Sequence, residues 1–141
     1  MKLNICLLAF CFAAPAWAAV DNTMPPGGVF GLKPGIYAQK GSSCAKASNT
    51  SVRIYDGKSL HAPSSNDCIA RVVSIEGNRY TAVQSCLSRG KDAGIRSDEK
   101  YVVRTTDALN FSLRTNSGVL SYGYCPAYDL PAALQTFDPN K

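Results

Sequence analysis

Cys68–Leu87 reads CIARVVSIEGNRYTAVQSCL, and this stretch decides the fold class. From Cys68 to Ile75, β-branched and apolar residues fall on alternate positions. Glu76-Gly77-Asn78 then supplies turn residues, and Arg79 to Leu87 returns. A period of two is that of a strand with one buried face, and two such runs about a Gly-containing turn make a β-hairpin.

The same pattern spreads outward along the chain. Ser51-Val-Arg-Ile-Tyr55 alternates and meets Asp56-Gly57, a strong two-residue hairpin turn, with Lys58 to His61 as its return. Tyr101–Thr106 and Leu109–Arg114 form two further strands, joined near Asp107-Ala108. Asn116-Ser117-Gly118 turns the chain into Val119–Cys125, and Gly35–Gln39 completes the set. These readings give about eight short antiparallel strands, an all-β barrel or sandwich with little helix. The domain is expected over residues 35–128. Residues 19–34, dense in Pro and Gly, read as a flexible arm, and residues 129–141 as a tail with one helical turn near Ala132–Gln135.

Residues 1–18 read as a signal peptide. Lys2 precedes an apolar run from Leu3 to Ala14, and the small residues Ala16, Ala18 and Ala19 offer a cleavage site after Ala18 or Ala19. Phe10 is too bulky before Cys11 for a lipid-attachment motif. Export to the periplasm places the later cysteines in an oxidising compartment. Of the six cysteines, Cys6 and Cys11 leave with the leader, and Cys44, Cys68, Cys86 and Cys125 remain as two expected disulfides. Four cysteines permit three connectivities. Cys44–Cys68 with Cys86–Cys125 is favoured, tying the Ser42 loop to one strand and joining two strand ends at a common rim.

Several chemistries find little support. The formal charge is +5, but the basic residues stand singly from Lys33 to Arg114, which argues against nucleic acid. A mild attraction to acidic partners remains. No other stretch is long and apolar enough for a membrane span. Gly27-Gly28 and Gly90–Gly94 match no phosphate loop. One histidine and four paired thiols leave too few ligands for a metal, and no cofactor is expected. That histidine, His61, lacks any nucleophile motif, so a surface or strand-edge position beside Pro63 is favoured over a triad. Asp98-Glu99 is the only adjacent acidic pair, read as lying on a loop before Tyr101.

Tyrosines are spread widely. Tyr37, Tyr55, Tyr80 and Tyr101 each belong to a different strand, and Tyr122 and Tyr124 share one strand face. Packing is favoured over recognition for most of them. Two loops are long enough to project, Ser42–Thr50 and Ser88–Glu99.

An exported domain of this length, stapled and built of short antiparallel strands, resembles the small periplasmic inhibitor proteins of Gram-negative bacteria. These include the inhibitors of c-type lysozyme and the immunity proteins that neutralise cell-wall-degrading toxins. The resemblance is architectural and spans Gly35 to Cys125. Such lysozyme inhibitors present an S-G-x-x-Y-like loop to the enzyme's cleft. The nearest string here is Ser117-Gly118-Val119-Leu120-Ser121-Tyr122, with the tyrosine one residue late. The resemblance implies a non-catalytic protein whose partner is a cell-wall hydrolase or toxin. Contact is expected on a rim of Ser117, Gly118 and Tyr122, with Arg89, Lys91 and Arg96 of the neighbouring loop meeting an acidic cleft. The alternatives are a small envelope hydrolase using His61 or Asp98/Glu99, and a non-catalytic adaptor.

Overall fold

A computed structural model describes residues 25–141, so the expected signal peptide lies outside the described residues. The strands are β1 (Gly35–Gln39), β2 (Val52–Tyr55), β3 (Leu60–His61), β4 (Ser65–Glu76), β5 (Arg79–Ser88), β6 (Arg96–Asp107), β7 (Asn110–Thr115) and β8 (Gly118–Cys125). They form one 8-stranded antiparallel sheet in the order β3-β2-β1-β8-β7-β6-β5-β4, curled into a nearly closed barrel. Of the expected all-β barrel or sandwich, the chain forms the barrel-like sheet. One short helix, α1 (Ala132–Gln135), sits where the tail was expected to turn.

Turn chemistry explains where strands end. Asp56 accepts the backbone N–H groups of Lys58 (2.9 Å) and Ser59 (2.7 Å), while Gly57 takes φ 86°. Asp107 does the same for Leu109 (2.7 Å). Short polar side chains that bond the backbone two residues on are natural turn formers.

The ends of the sheet, β3 and β4, meet along a seam. The Ala70 N–H donates to the Lys58 carbonyl at 3.0 Å. The buried side chain of Gln84 on β5 does the rest. Its Oε1 accepts the Leu60 N–H (2.8 Å) and its Nε2 donates to the Leu60 carbonyl (3.0 Å). The amide thus pairs with β3 as a strand backbone would. Ala70 faces Gln84 on the intervening strand, and its methyl group leaves the amide a path along the inner face.

Inside the barrel, Tyr37, Tyr55, Tyr101, Phe111 and Tyr122 pack with Val103 and Leu113, so the spread tyrosines are mostly core. The stretch read as a flexible arm departs from expectation where it is described. Phe30 and Leu32 are buried in this core, and Phe30 packs edge-on against Tyr80 at 5.7 Å between centroids. The Tyr55 hydroxyl donates to the Gly27 carbonyl (2.6 Å) and accepts the Phe30 N–H (3.1 Å), fastening this plug. Gly28 lies against the opposite turn: a Cβ there would stand 2.2 Å from the Gly57 oxygen. Pro and Gly shape this segment for close approach rather than for freedom.

Outside the barrel, β1 and β2 carry a second small core. Ile36, Ala38, Val52 and Ile54 are covered by Ala47, Leu130 and Leu134. The expected tail therefore docks on the sheet.

The disulfides correct the favoured pairing: Cys44 joins Cys125, and Cys68 joins Cys86. Cys68 and Cys86 sit on paired strands β4 and β5, which hairpin geometry brings together. Cys44 follows β1, which lies beside β8, so Cys125 is within its reach. Two disulfides fit a chain that works in an oxidising compartment. Among the described residues, no helix is long and apolar enough to cross a membrane.

Two outcomes follow. The Cys44–Cys125 bridge spans 81 residues and the Cys68–Cys86 bridge 18, so loop-closure entropy assigns them about 4.5 and about 3 kcal/mol. Paired Cys→Ser variants are expected to lose stability in that order in urea titrations, and non-reducing peptide maps should show these two pairs. Gln84→Ala strands both polar groups of Leu60 and is expected to cost about 2–4 kcal/mol. A loss under about 1 kcal/mol would mean that the seam closes without the amide.

Candidate functional site

Phe30 and Leu32 plug one end of the barrel, and among the described residues the other end is open. Strand direction puts the β5–β6 connection and the β7–β8 hairpin at this open end, because β6 runs from Arg96 towards Asp107 and β7 returns to Thr115. A hollow of about 410 Å³ lies there, lined by Arg53, Glu99, Ser117, Gly118 and Leu120, with Tyr122 among its walls. A smaller one of about 110 Å³ shares Arg53, Glu99, Leu113 and Thr115 and reaches the seam at Gln84 and His61.

Alternation puts these side chains on the inner face. Arg53 pairs with Tyr37, and Glu99 with Gln84, both inward positions. Tyr122 is only 1% exposed and stacks on Phe111 at 5.2 Å. The Arg53 guanidinium lies 5.7 Å over the Tyr122 ring and donates to the Val52 carbonyl at 2.9 Å. A cation held over an aromatic face is stabilised without a carboxylate partner. Deeper in, the Tyr101 hydroxyl donates to Gln84 Oε1 (2.8 Å), and burial first, then the Glu99 charge, pushes the Tyr101 phenol well above its usual range. The mouth is thus polar, floored by aromatics, and carries one charge of each sign.

The expected contact residues divide. Asn116 and Ser117 form the turn of the β7–β8 hairpin at the mouth, and Gly118 opens β8 beside it, paired with Thr115. Tyr122 is a wall of the hollow and offers a partner almost no surface. The exposed apolar groups at this tip are Val119 (52%) and Leu120 (43%), which the sequence does not single out because their exposure depends on where the packed part of the barrel ends. Arg96 lies on β6, not on a loop; its guanidinium pairs with the Asp67 carboxylate and donates to Ser85 Oγ at 3.2 Å. The Arg89 guanidinium lies 5.9 Å over the Phe137 ring. Lys91 is exposed in a single 3-10 turn, Gly90–Asp92. None of these three basic residues lines the hollow that holds Ser117 and Gly118.

The candidate catalytic groups do not assemble. Asp98 and Glu99 are on strand β6, facing Ser85 and Gln84, and successive strand residues point to opposite faces. They cannot flank one scissile bond. His61 ends β3 at the strand edge, as expected. Its Nδ1 is 2.9 Å from Ser59 Oγ, which donates to Asp56 Oδ1 at 3.1 Å. In a triad the imidazole stands between carboxylate and hydroxyl. Here the hydroxyl is in the middle, and Ser59 is fully buried. Among the described residues, no cluster of His, Cys, Asp or Glu could hold a metal ion.

Burial holds the His61 pKa below its ordinary 6.5, with Arg89 adding to the depression and Asp56 opposing it. The unfolded chain therefore binds the proton more readily. The stability that neutral His61 contributes is fully present above pH 6.5 and is lost as pH falls through the depressed folded value. Urea midpoints measured from about pH 8 to about pH 5 should fall more steeply for the native chain than for His61→Asn. Parallel curves would remove burial as the cause. Compared with protein-family models, with curated proteins and with solved structures, the chain matches none.

Proposed function

We propose that this protein is an exported, non-catalytic binding protein of the periplasm that blocks an envelope-directed enzyme, either a peptidoglycan hydrolase or a toxin. One observation carries the reading. At the open end of a stapled barrel, the β7–β8 hairpin presents Val119 and Leu120 to solvent beside the Asn116-Ser117 turn. Exposed apolar groups on a rigid, narrow projection suit insertion into another protein's cleft, where they lose water. Gly118 adopts φ 129°, a conformation that side-chain-bearing residues rarely adopt, so the position beside the turn is held by glycine and adds no side chain to the projection. Beside it, Arg53 would meet the carboxylates of a hydrolase cleft. The interrupted order of Asp56, Ser59 and His61 and the divergence of Asp98 from Glu99 favour binding over hydrolysis.

The test is a turbidity assay of cell-wall suspensions with c-type lysozyme and with peptidoglycan hydrolases of the same envelope. Stoichiometric protein is expected to slow clearing by at least one of them. Val119→Ser combined with Leu120→Ser removes apolar area from exposed positions and should weaken inhibition by roughly tenfold or more. Full clearing at every ratio of protein to enzyme would refute the proposal, and clearing of the suspension by the protein alone would make it a hydrolase.

A further inference from the structure

We propose a second site, which meets the mouth only at Val119: the outer face of β5–β7 binds a phosphate monoester through Arg79, Arg104, Arg114 and Ser112. Three arginines far apart in the chain come together there around a shallow hollow of about 240 Å³, closed at its sides by Val102 and Val119. Register sets their spacing. Arg104 faces Arg79 directly on one side and Ser112 on the other. Arg114 faces Val102, two residues before Arg104 on the same face, and is Arg104's diagonal neighbour at about 7–8 Å.

Like charges directly opposite on paired strands destabilise a sheet. This pair is poorly compensated. Glu76 approaches Arg79 at 3.7 Å, with both side chains largely exposed. Among the described residues, Arg104 and Arg114 have no carboxylate partner. An anion seated between the guanidinium groups removes the repulsion and gains their hydrogen bonds, which makes the free arrangement a receptive one.

The donor set selects the ligand class. A carboxylate has two oxygens and is satisfied by one guanidinium fork. Three forks and a hydroxyl exceed that need, but match the three terminal oxygens and double charge of a phosphate monoester. The positive ground continues along β6 to Lys100 and, across Val83, to Arg71, and Asp98, two residues before Lys100 on the same face, ends it; only Arg79, Arg104 and Arg114 surround the hollow itself. That extent fits a single phosphate group better than the repeating track of a nucleic acid. The group has two sources with the same chemistry, a free phosphate ester or an anionic lipid headgroup.

The experiment uses the disulfide-bonded protein and Arg104→Gln, an exposed substitution at the centre of the site. Amide shifts are followed during titration with inorganic phosphate, with acetate at matched ionic strength as control. Sedimentation with phosphatidylcholine vesicles, with and without phosphatidic acid, tests the lipid source. Saturable shifts centred on Arg79, Arg104, Ser112 and Arg114 support a free ester, and retention only by phosphatidic acid vesicles supports a headgroup. In either case Arg104→Gln should bind at least roughly tenfold more weakly. Phosphate should raise the melting temperature of the native protein and not that of the variant. Without phosphate, the variant should melt no lower than the native protein, because the facing arginine pair is gone. No response to either probe, an equal response to acetate, or undiminished binding by Arg104→Gln overturns the proposal.

Discussion

The amide of Gln84 is the constraint on which the barrel depends. A curled sheet whose last strand is only Leu60–His61 cannot close by an ordinary ladder, because two residues offer too few backbone groups. Unpaired edges invite association with other chains, and closure removes them. Gln84 supplies one acceptor and one donor at the spacing of a peptide group, and the Tyr101 hydroxyl donates to the same oxygen. Asparagine would be too short to reach β3, and glutamate would lose the donor. Closure then sets everything further out: it gives the inner face its enclosed aromatic core and leaves the open end as a defined mouth.

The two ends of that barrel differ because different parts of the chain cover them. Phe30 and Leu32 seal one end with apolar surface, secured by the Tyr55 hydroxyl. At the other end no equivalent segment enters among the described residues, and the inward positions are Arg53, Glu99 and Thr115. A charged residue at an inward position is costly in a sealed core and tolerable where water reaches it. The polarity of these positions therefore marks the mouth. The second core, under Leu130 and Leu134, buries β1 and β2 on both faces and, with Cys44–Cys125, holds the side of the barrel opposite the exposed β4–β6 sheet.

The strands were legible because their buried faces alternate and their turns carry Asp, Gly and Asn. Asp56-Gly57 and Asp107-Ala108 end strands for local reasons that a short window contains. Gln84 was not legible: within RYTAVQSCL it looks like a polar residue between apolar ones, and only the approach of β3 makes it central. Cys68 and Cys86 lie on the two arms of the β4–β5 hairpin, so their pairing was within reach of a local argument that the favoured connectivity passed over; Cys44–Cys125 was not. Pairing Cys44 with Cys125 requires knowing that β1 lies beside β8, a contact between distant parts of the chain. Phe30 and Leu32 were hidden by the Pro and Gly around them, whose compositional signal is that of a loose segment. Of the candidate site, the Asn116-Ser117 turn before Gly118 was visible. The burial of Tyr122 and the exposure of Val119 and Leu120 were not, because they depend on how far β8 extends beyond the packed part of the barrel.

The same alternation lets one sheet serve two purposes. Along β7, Phe111, Leu113 and Thr115 face the interior, while Ser112 and Arg114 face out. On β6, Tyr101 and Val103 build the core as Val102 and Arg104 build the outer surface. Basic residues that stand singly in the chain are thereby gathered by register into one patch, which is why charge clustering along the sequence gave no sign of it. Val119 belongs to both regions, lining the outer hollow and flanking the hairpin tip at the mouth. A protein bound at the tip would therefore pass close to the arginine face. An anion already seated there would change the charge that such a partner meets, so the two proposed surfaces would be coupled by proximity through ordinary electrostatics, with no movement of the barrel required.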